Sequence, residues 1–209
     1  GLLTTIAIGL NGKVQYALEG SVFVAKKIRD EIGISDALVI GNVGKLYAPK
    51  NHVFLLDVFH YIVSKNRNAL LLLVGGGELE NSLKKKAYEL GVDDKVLFLG
   101  MRDDVSDIVQ AFDVFVFPST YEGLGLAVIE AQASGLECIV SDRVPIETKV
   151  TDNIKYLSLD ESPVIWADAI LNLNVRNREE LSKQAMETIK ASGYDINFEA
   201  FKLETIYRS

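Results

Sequence analysis

The chain is poor in the residues that mark metal, redox or hydrolytic chemistry. Of 209 residues, one is cysteine and two are histidine. A single cysteine, Cys138, excludes an internal disulfide, and within Gly135-Leu-Glu-Cys-Ile-Val140 it reads as a small buried apolar residue. His52 and His60 lie on one predicted helix at a spacing that does not bring them onto one face, so both read as structural and no zinc or iron site is expected. A Gly-x-Ser-x-Gly nucleophile turn and a P-loop are both missing. Basic runs are missing too, and the net charge is −7, which argues against nucleic acid as a partner. No apolar run reaches the length of a membrane span, and no signal peptide is visible. The chain starts at Gly1 rather than methionine, which predicts an excised piece of a longer protein.

What is present is aliphatic. Apolar residues make up 48% of the chain, enough for one good core but short for two full domains. Candidate strands are Leu3–Ile8, Leu38–Val43, Ala69–Val74, Lys95–Leu99, Val114–Phe117, Glu137–Val140 and Ile154–Leu157. Most are short, continuous apolar runs, as strands buried on both faces should be. Helix-period segments alternate with them over Val22–Ile32, His52–Lys65, Glu78–Leu90, Val105–Ala111 and Leu124–Ser134. Strand then helix, repeated, predicts a Rossmann-like α/β fold, a doubly wound parallel sheet of about six strands covered on both faces. After Leu159 the pattern turns helical, over Ser162–Leu173, Asn177–Ala191 and Asn197–Tyr207. The expected organisation is a leading segment over 1–34, a Rossmann-like domain over 35–175, and C-terminal helices over 176–209.

Three turns follow predicted strands, on the side where open parallel sheets bind ligands. Gly41-Asn-Val-Gly-Lys-Leu-Tyr-Ala-Pro-Lys50 carries Lys45 and Lys50, which could hold a diphosphate or be solvated surface lysines. Val74-Gly-Gly-Gly-Glu-Leu79 permits close backbone approach, or is simply a tight turn in which Glu78 favours the helix start. Tyr121-Glu-Gly-Leu-Gly-Leu126 joins a strand to a helix and offers backbone N–H groups and a positive helix end to an anion. Glu122 lies in that turn and could accept bonds from sugar hydroxyls. Glu130 lies roughly two helical turns on, among Ala127, Val128, Ile129 and Ala131, where a carboxylate is costly unless something bonds it. An anionic ligand with hydroxyls, such as a nucleotide sugar, would satisfy both features. Asp103, Asp104 and Asp107 read as an acidic helix start rather than a magnesium site.

Taken in order, these segments resemble the C-terminal, donor-binding half of family 4 retaining glycosyltransferases, enzymes of GT-B architecture. Asn42-Val-Gly-Lys-Leu46 with Pro49-Lys50 looks like the family's glycine, basic residue, leucine turn with its following lysine. Leu73-Val-Gly-Gly-Gly77 looks like its third-strand glycine turn, and Val96-Leu-Phe-Leu-Gly100 like its base-side strand. Phe117-Pro-Ser-Thr-Tyr-Glu-Gly-Leu-Gly-Leu126 with Glu130 looks like its two-glutamate signature, continued by Gly135 and Ser141-Asp142.

The resemblance implies that 1–34 is an interdomain segment and the start of the donor domain, that 35–175 is the nucleotide-sugar-binding Rossmann-like domain, and that residues within it have set roles. Lys45 and Lys50, beside Gly44, would bind the donor diphosphate, and Glu122 would contact the transferred sugar. Gly123, Leu124, Gly125 and Leu126 would present backbone to phosphate or sugar, Glu130 would hold the ribose, and backbone near Gly100 and Met101 would meet the base. Lys45 stands where the family more often has arginine, and Leu124 where it more often has phenylalanine. No metal or cofactor is implied; a UDP-sugar is the donor substrate. The partners implied are an N-terminal acceptor domain outside this chain and a glycan or lipid-linked acceptor, in surface polysaccharide biosynthesis. The implied location is cytoplasmic, peripheral at the inner face of the membrane through that other half. Without the acceptor domain the chain is expected to transfer little or nothing. A nucleotide-sugar epimerase half and a non-catalytic nucleotide-binding domain are the competing expectations.

Overall fold

The computed structural model describes residues 23–34, 36–173 and 178–189. The expected strand Leu3–Ile8 and helix Asn197–Tyr207 lie outside the described residues. The strands are β1 (Leu38–Val43), β2 (Ala69–Val74), β3 (Val96–Gly100), β4 (Val114–Phe117), β5 (Glu137–Ser141) and β6 (Ile154–Leu157). All pair in parallel, in the order β3-β2-β1-β4-β5-β6. The fold is therefore the Rossmann-like α/β sheet that the strand–helix alternation predicts. Chain direction across the sheet reverses between β1 and β4, and that reversal opens a crevice at the carboxyl ends of these two strands.

Alternate strand residues feed two cores. On one face Ile40, Leu71, Leu73, Val114, Val116 and Ile139 pack beneath α2 (His52–Lys65), α3 (Glu80–Glu89) and α6 (Pro163–Leu171). Leu55, Leu56, Val58, Phe59 and Ile62 of α2 are all buried, which is why this segment forms an amphipathic helix. Trp166 of α6 is buried, donates its indole N–H to the Ser158 carbonyl and meets Phe54 edge-on at 5.3 Å. On the other face Val39, Leu72, Val74, Phe115, Phe117, Cys138 and Val140 pack beneath α1 (23–32), α4 (Val105–Gln110) and α5 (Leu126–Ala133). Burial pushes the Cys138 thiol well above its ordinary pKa, as a packing residue requires.

The sheet's last partner is α7 (Arg178–Ile189), which lies against α5. Ser182 donates to the Ala133 carbonyl, and Ala185 packs with Ile129, Ala133 and Val150. Arg178 sends its guanidinium to four carbonyls, those of Ser134 (2.9 Å), Gln110 (2.7 Å), Phe112 (2.9 Å) and Val109 (3.0 Å). One side chain thus closes the carboxyl ends of both α4 and α5.

Several boundaries differ from expectation for local reasons. The helix expected over Leu124–Ser134 starts later, at Leu126, because Gly125 takes a left-handed φ of 64° at its N-cap. Leu124 stays in the turn, where its carbonyl accepts a bond from the Thr148 hydroxyl at 2.9 Å. The helix expected from Glu78 starts at Glu80, because the Leu79 amide is used to bond the Leu46 carbonyl (3.1 Å). Lys95 belongs to a short 3-10 turn, Asp93–Lys95, so β3 begins at Val96.

Candidate functional site

The two turns that flank the crevice are bonded to each other. The turn after β1 runs through Gly44 and Lys45 to Lys50; the turn after β4 runs from Pro118 to Gly125. The Lys50 ammonium lies 2.5 Å from Glu122 Oε1, with the two side chains only 13% and 10% exposed. The same ammonium sits over the Phe117 ring, 4.5 Å from its centroid. The Pro49 carbonyl accepts bonds from the Thr120 amide (2.8 Å) and the Ser119 hydroxyl (2.7 Å). Glu122 Oε1 also lies 2.5 Å from that hydroxyl. From the next strand, Ser141 at the end of β5 bonds the Ser119 carbonyl.

The glycines after β2 lock the first turn from behind. A Cβ on Gly75 would stand 2.1 Å from the Gly44 carbonyl oxygen, and one on Gly77 would stand 2.3 Å from that of Leu46. Both glycines let the chain's own backbone pass, so the close approach expected of Val74–Leu79 is to the Gly44–Leu46 turn. The Leu46 amide donates to the Gly76 carbonyl at 3.0 Å, and Gly75 donates to Gly100 at 2.8 Å. A Cβ on Gly76 would meet Met101, which is 88% exposed at the end of β3. The turns after β3, β2, β1 and β4 thus interlock along one edge of the sheet.

Gly123 is different. It is exposed, and a Cβ built there meets nothing within 4 Å. Behind it, Thr148 holds the Leu124 carbonyl, and Gln132 holds Thr148. The Gln132 amide donates to the Thr148 carbonyl (2.8 Å) while its oxygen accepts from Val150 N, Thr151 N and Thr151 Oγ1. The amides of Leu126 and Ala127 at the start of α5 lie beside this anchored turn, while that of Val128 bonds the Gly125 carbonyl at 2.9 Å.

The structure brings together Gly44, Lys50, Glu122, Gly123, Leu124 and Gly125 in two bonded turns, with Leu126 opening α5 beside them. Lys45 is on the same turn as Lys50, but exposed, with its ammonium 5.8 Å from the Tyr47 ring centroid. Gly100 and Met101 lie further along the edge, at β3. Glu130 corrects an expectation. It is exposed on α5, not held among apolar neighbours, because the helix turns Val128, Ile129 and Ala131 inward and leaves position 130 outward. Asp103 and Asp104 precede α4 as expected of a helix start, with Arg102 paired to Asp104 at 2.6 Å.

His52 lies just beyond Lys50, at the first position of α2, and is buried. Its Nε2 is 3.0 Å from Asn42 Oδ1, and Asn42 Nδ2 donates to the Val116 carbonyl. The Asn42 oxygen is therefore the acceptor and His52 Nε2–H the donor. His52 Nδ1 has no partner among the described residues. Burial first, and Lys50 second, lower the histidine pKa to about 4. His52 is structural, as its sequence context suggests, while Gln132, Thr148 and Arg178 are parts of this frame that motif reading missed. Gln132 carried a usable signal, an amide between two alanines on an apolar helix face.

A cavity of about 400 Å³ lies elsewhere, between residues 149–153 and α7, and none of the candidate residues lines it. Among the described residues, no helix is long and apolar enough to cross a membrane.

The model of the family described as glycosyl transferases group 1 matches residues 24–189, and the chain belongs to this family. The EpsF protein of Bacillus subtilis (strain 168) is 34% identical over 177 residues, 83% of this chain and 45% of its own length. Among solved structures, HepE of Anabaena in complex with UDP-glucose superimposes with a TM-score of 0.75 at 20% identity, covering 90% of this chain and 53% of that one. The C-terminal domain of the group 1 glycosyl transferase LpcC from Francisella tularensis does so with a TM-score of 0.68 at 18% identity, covering 80% and 91%. At such identities the structural likenesses show the fold. The chain spans about half the length, or less, of the curated relatives it matches.

Proposed function

We propose that this chain is the C-terminal, donor-binding half of a family 4 retaining glycosyltransferase that uses a UDP-sugar. The observation that carries the reading is the Lys50–Glu122 pair, a cation and a carboxylate from two different turns meeting across the β1/β4 reversal. Lys50 and Lys45 hold the diphosphate and stabilise the charge that develops on the departing nucleotide. The amides from Gly123 to Leu126 add a helix N-terminus to that clamp. Glu122 orients the transferred sugar, and Gly44 stands beside Lys50 at the diphosphate. Gly100 and Met101 meet the base, and Glu130, on the solvent side of α5, reaches the ribose from outside. Catalysis needs no metal, because fixed cations and amides do its work. Family membership favours transfer over epimerisation. The LpcC domain, matched over nearly its whole length, supports the C-terminal position, and the UDP-glucose complex of HepE supports the donor class.

The acceptor is a glycan or lipid-linked sugar in surface polysaccharide assembly, bound by an N-terminal domain outside this chain. The sugar moved is a hexose, and its anomeric configuration is retained. The protein works in the cytoplasm at the inner face of the membrane, and the 209-residue chain alone transfers nothing measurable. Robust transfer by the purified chain overturns that last statement.

Thermal unfolding with UDP, UDP-sugars, GDP and ADP tests the reading. UDP at a hundred times its Kd raises stability by about 2.7 kcal/mol if it binds only the folded chain. A flat response to all four rejects a donor site. Glu130→Ala weakens UDP at least tenfold by calorimetry if Glu130 holds the ribose; unchanged affinity removes that assignment. Gly123→Ala separates ligand space from protein packing. The added methyl meets no protein atom, so stability changes by less than about 0.5 kcal/mol while UDP affinity falls roughly tenfold. A variant that binds UDP normally places the diphosphate elsewhere.

A further inference from the structure

The ion pair that identifies the site also sets a condition on what fills it. Lys50 and Glu122 are nearly buried and lie 2.5 Å apart, so each is the other's main charge partner. Ser119 does not replace the charge of Lys50. Its hydroxyl has one proton, and the Pro49 carbonyl at 2.7 Å and the Tyr121 carbonyl at 3.2 Å compete with Glu122 for it. Drawing Lys50 toward a phosphate therefore strands a buried carboxylate, which is strongly unfavourable. A bare nucleoside diphosphate supplies an anion for Lys50 and nothing for Glu122. A nucleotide sugar supplies both, because its sugar hydroxyls donate to the carboxylate as the ammonium leaves it.

We propose that the Lys50–Glu122 ion pair is a latch that makes the site select the loaded nucleotide sugar over the spent nucleoside diphosphate. This rests on the donor-site reading above. The pair opens at little cost only when both partners are replaced together, so Glu122 penalises a nucleotide that arrives, or remains, without its sugar. After transfer the latch recloses and speeds release of the nucleotide.

Calorimetric titration of UDP and UDP-glucose into the wild type, Glu122→Gln, Lys50→Met and the double variant tests this. Glu122→Gln keeps the shape and removes the charge, so UDP binds about fivefold tighter or better, while UDP-glucose gains less and the preference between the two shrinks. In the Lys50→Met background the same change gives no gain, because there is no ammonium to release. Two results overturn the latch: UDP affinity unchanged or weakened by Glu122→Gln, or an equal gain with Lys50 absent, which is plain charge repulsion. Should Glu122→Gln fail to fold, Glu122→Asp lengthens the pair and produces a smaller tightening of UDP; no tightening overturns the proposal. A wild type that binds neither probe removes the donor-site reading and the latch with it. A wild type that binds UDP but fails the cycle removes the latch alone.

Discussion

Arg178→Met is expected to lower the unfolding free energy by about 3 kcal/mol or more, the largest loss from any single substitution discussed for this chain. The guanidinium donates to Ser134, Gln110, Phe112 and Val109 carbonyls, which belong to the carboxyl ends of α5 and α4. These are the negative ends of two helices, so each bond joins a full charge to a partial one. Burial lowers the pKa of the group to about 10, partly offset by Asp113, which leaves it charged at neutral pH. Truncation leaves its carbonyl partners facing an apolar side chain, and the cost of unmade bonds exceeds the relief of not burying a charge. Arg178→Lys keeps the charge but lacks the fork that spans the carbonyls, so it recovers less than half of the loss. Urea unfolding of the three proteins measures this. A loss below about 1 kcal/mol for Arg178→Met would mean that water replaces the guanidinium without penalty. The consequence reaches the site, because α5 is the helix whose opposite end carries the Gly123–Gly125 turn.

Legibility from sequence divides along physical lines. The strands Leu38–Val43, Ala69–Val74 and Val114–Phe117 match the structure residue for residue, since a strand buried on both faces is a largely apolar run; Ile154–Leu157, an edge strand with Lys155 exposed, matches as well. The helix His52–Lys65 is equally clear, because its buried positions repeat with the helical period. Helix starts were less legible. Gly125 stays outside its helix through its left-handed φ, and Leu124 and Leu79 are held in their turns by bonds to Thr148 and Leu46, residues remote in sequence. The motifs marked Lys50 and Glu122 as candidates, yet nothing in their spacing said that they would bond to each other. That depends on β1 and β4 being neighbours, a fact of strand order. Glu130 shows the opposite failure. Its apolar sequence neighbours suggested burial, but adjacent residues on a helix point in different directions, and only the sheet decides which faces inward. Arg178 could not have been found at all, as a lone arginine in the first turn of a helix has no pattern.

Acid weakens this fold through His52. The ring is buried at the first turn of α2, where a positive charge meets the positive helix end and the Lys50 ammonium nearby. Its pKa is about 4 in the folded chain against 6.5 for an ordinary histidine, so between these values the unfolded chain binds a proton that the folded chain refuses. Stability contributed by the neutral ring is complete above about pH 6.5 and falls as pH drops toward 4, by about 3 kcal/mol in total; below that both states are protonated and the loss stops. His52→Gln isolates the effect, because an amide N–H can still donate to Asn42 Oδ1 but does not titrate. The difference in unfolding free energy between wild type and His52→Gln should narrow or reverse by about 3 kcal/mol between pH 7 and pH 4, since carboxylate titrations are common to both and cancel. Parallel curves for the two proteins would show that the unpartnered Nδ1 gains a bond on protonation that repays its burial. Because His52 follows Lys50 by two residues and is tied through Asn42 to β4, opening of this joint loosens the crevice first. UDP affinity is then expected to fall with the same pH dependence as stability, and a flat UDP affinity over pH 7 to 4 would uncouple the histidine from the site.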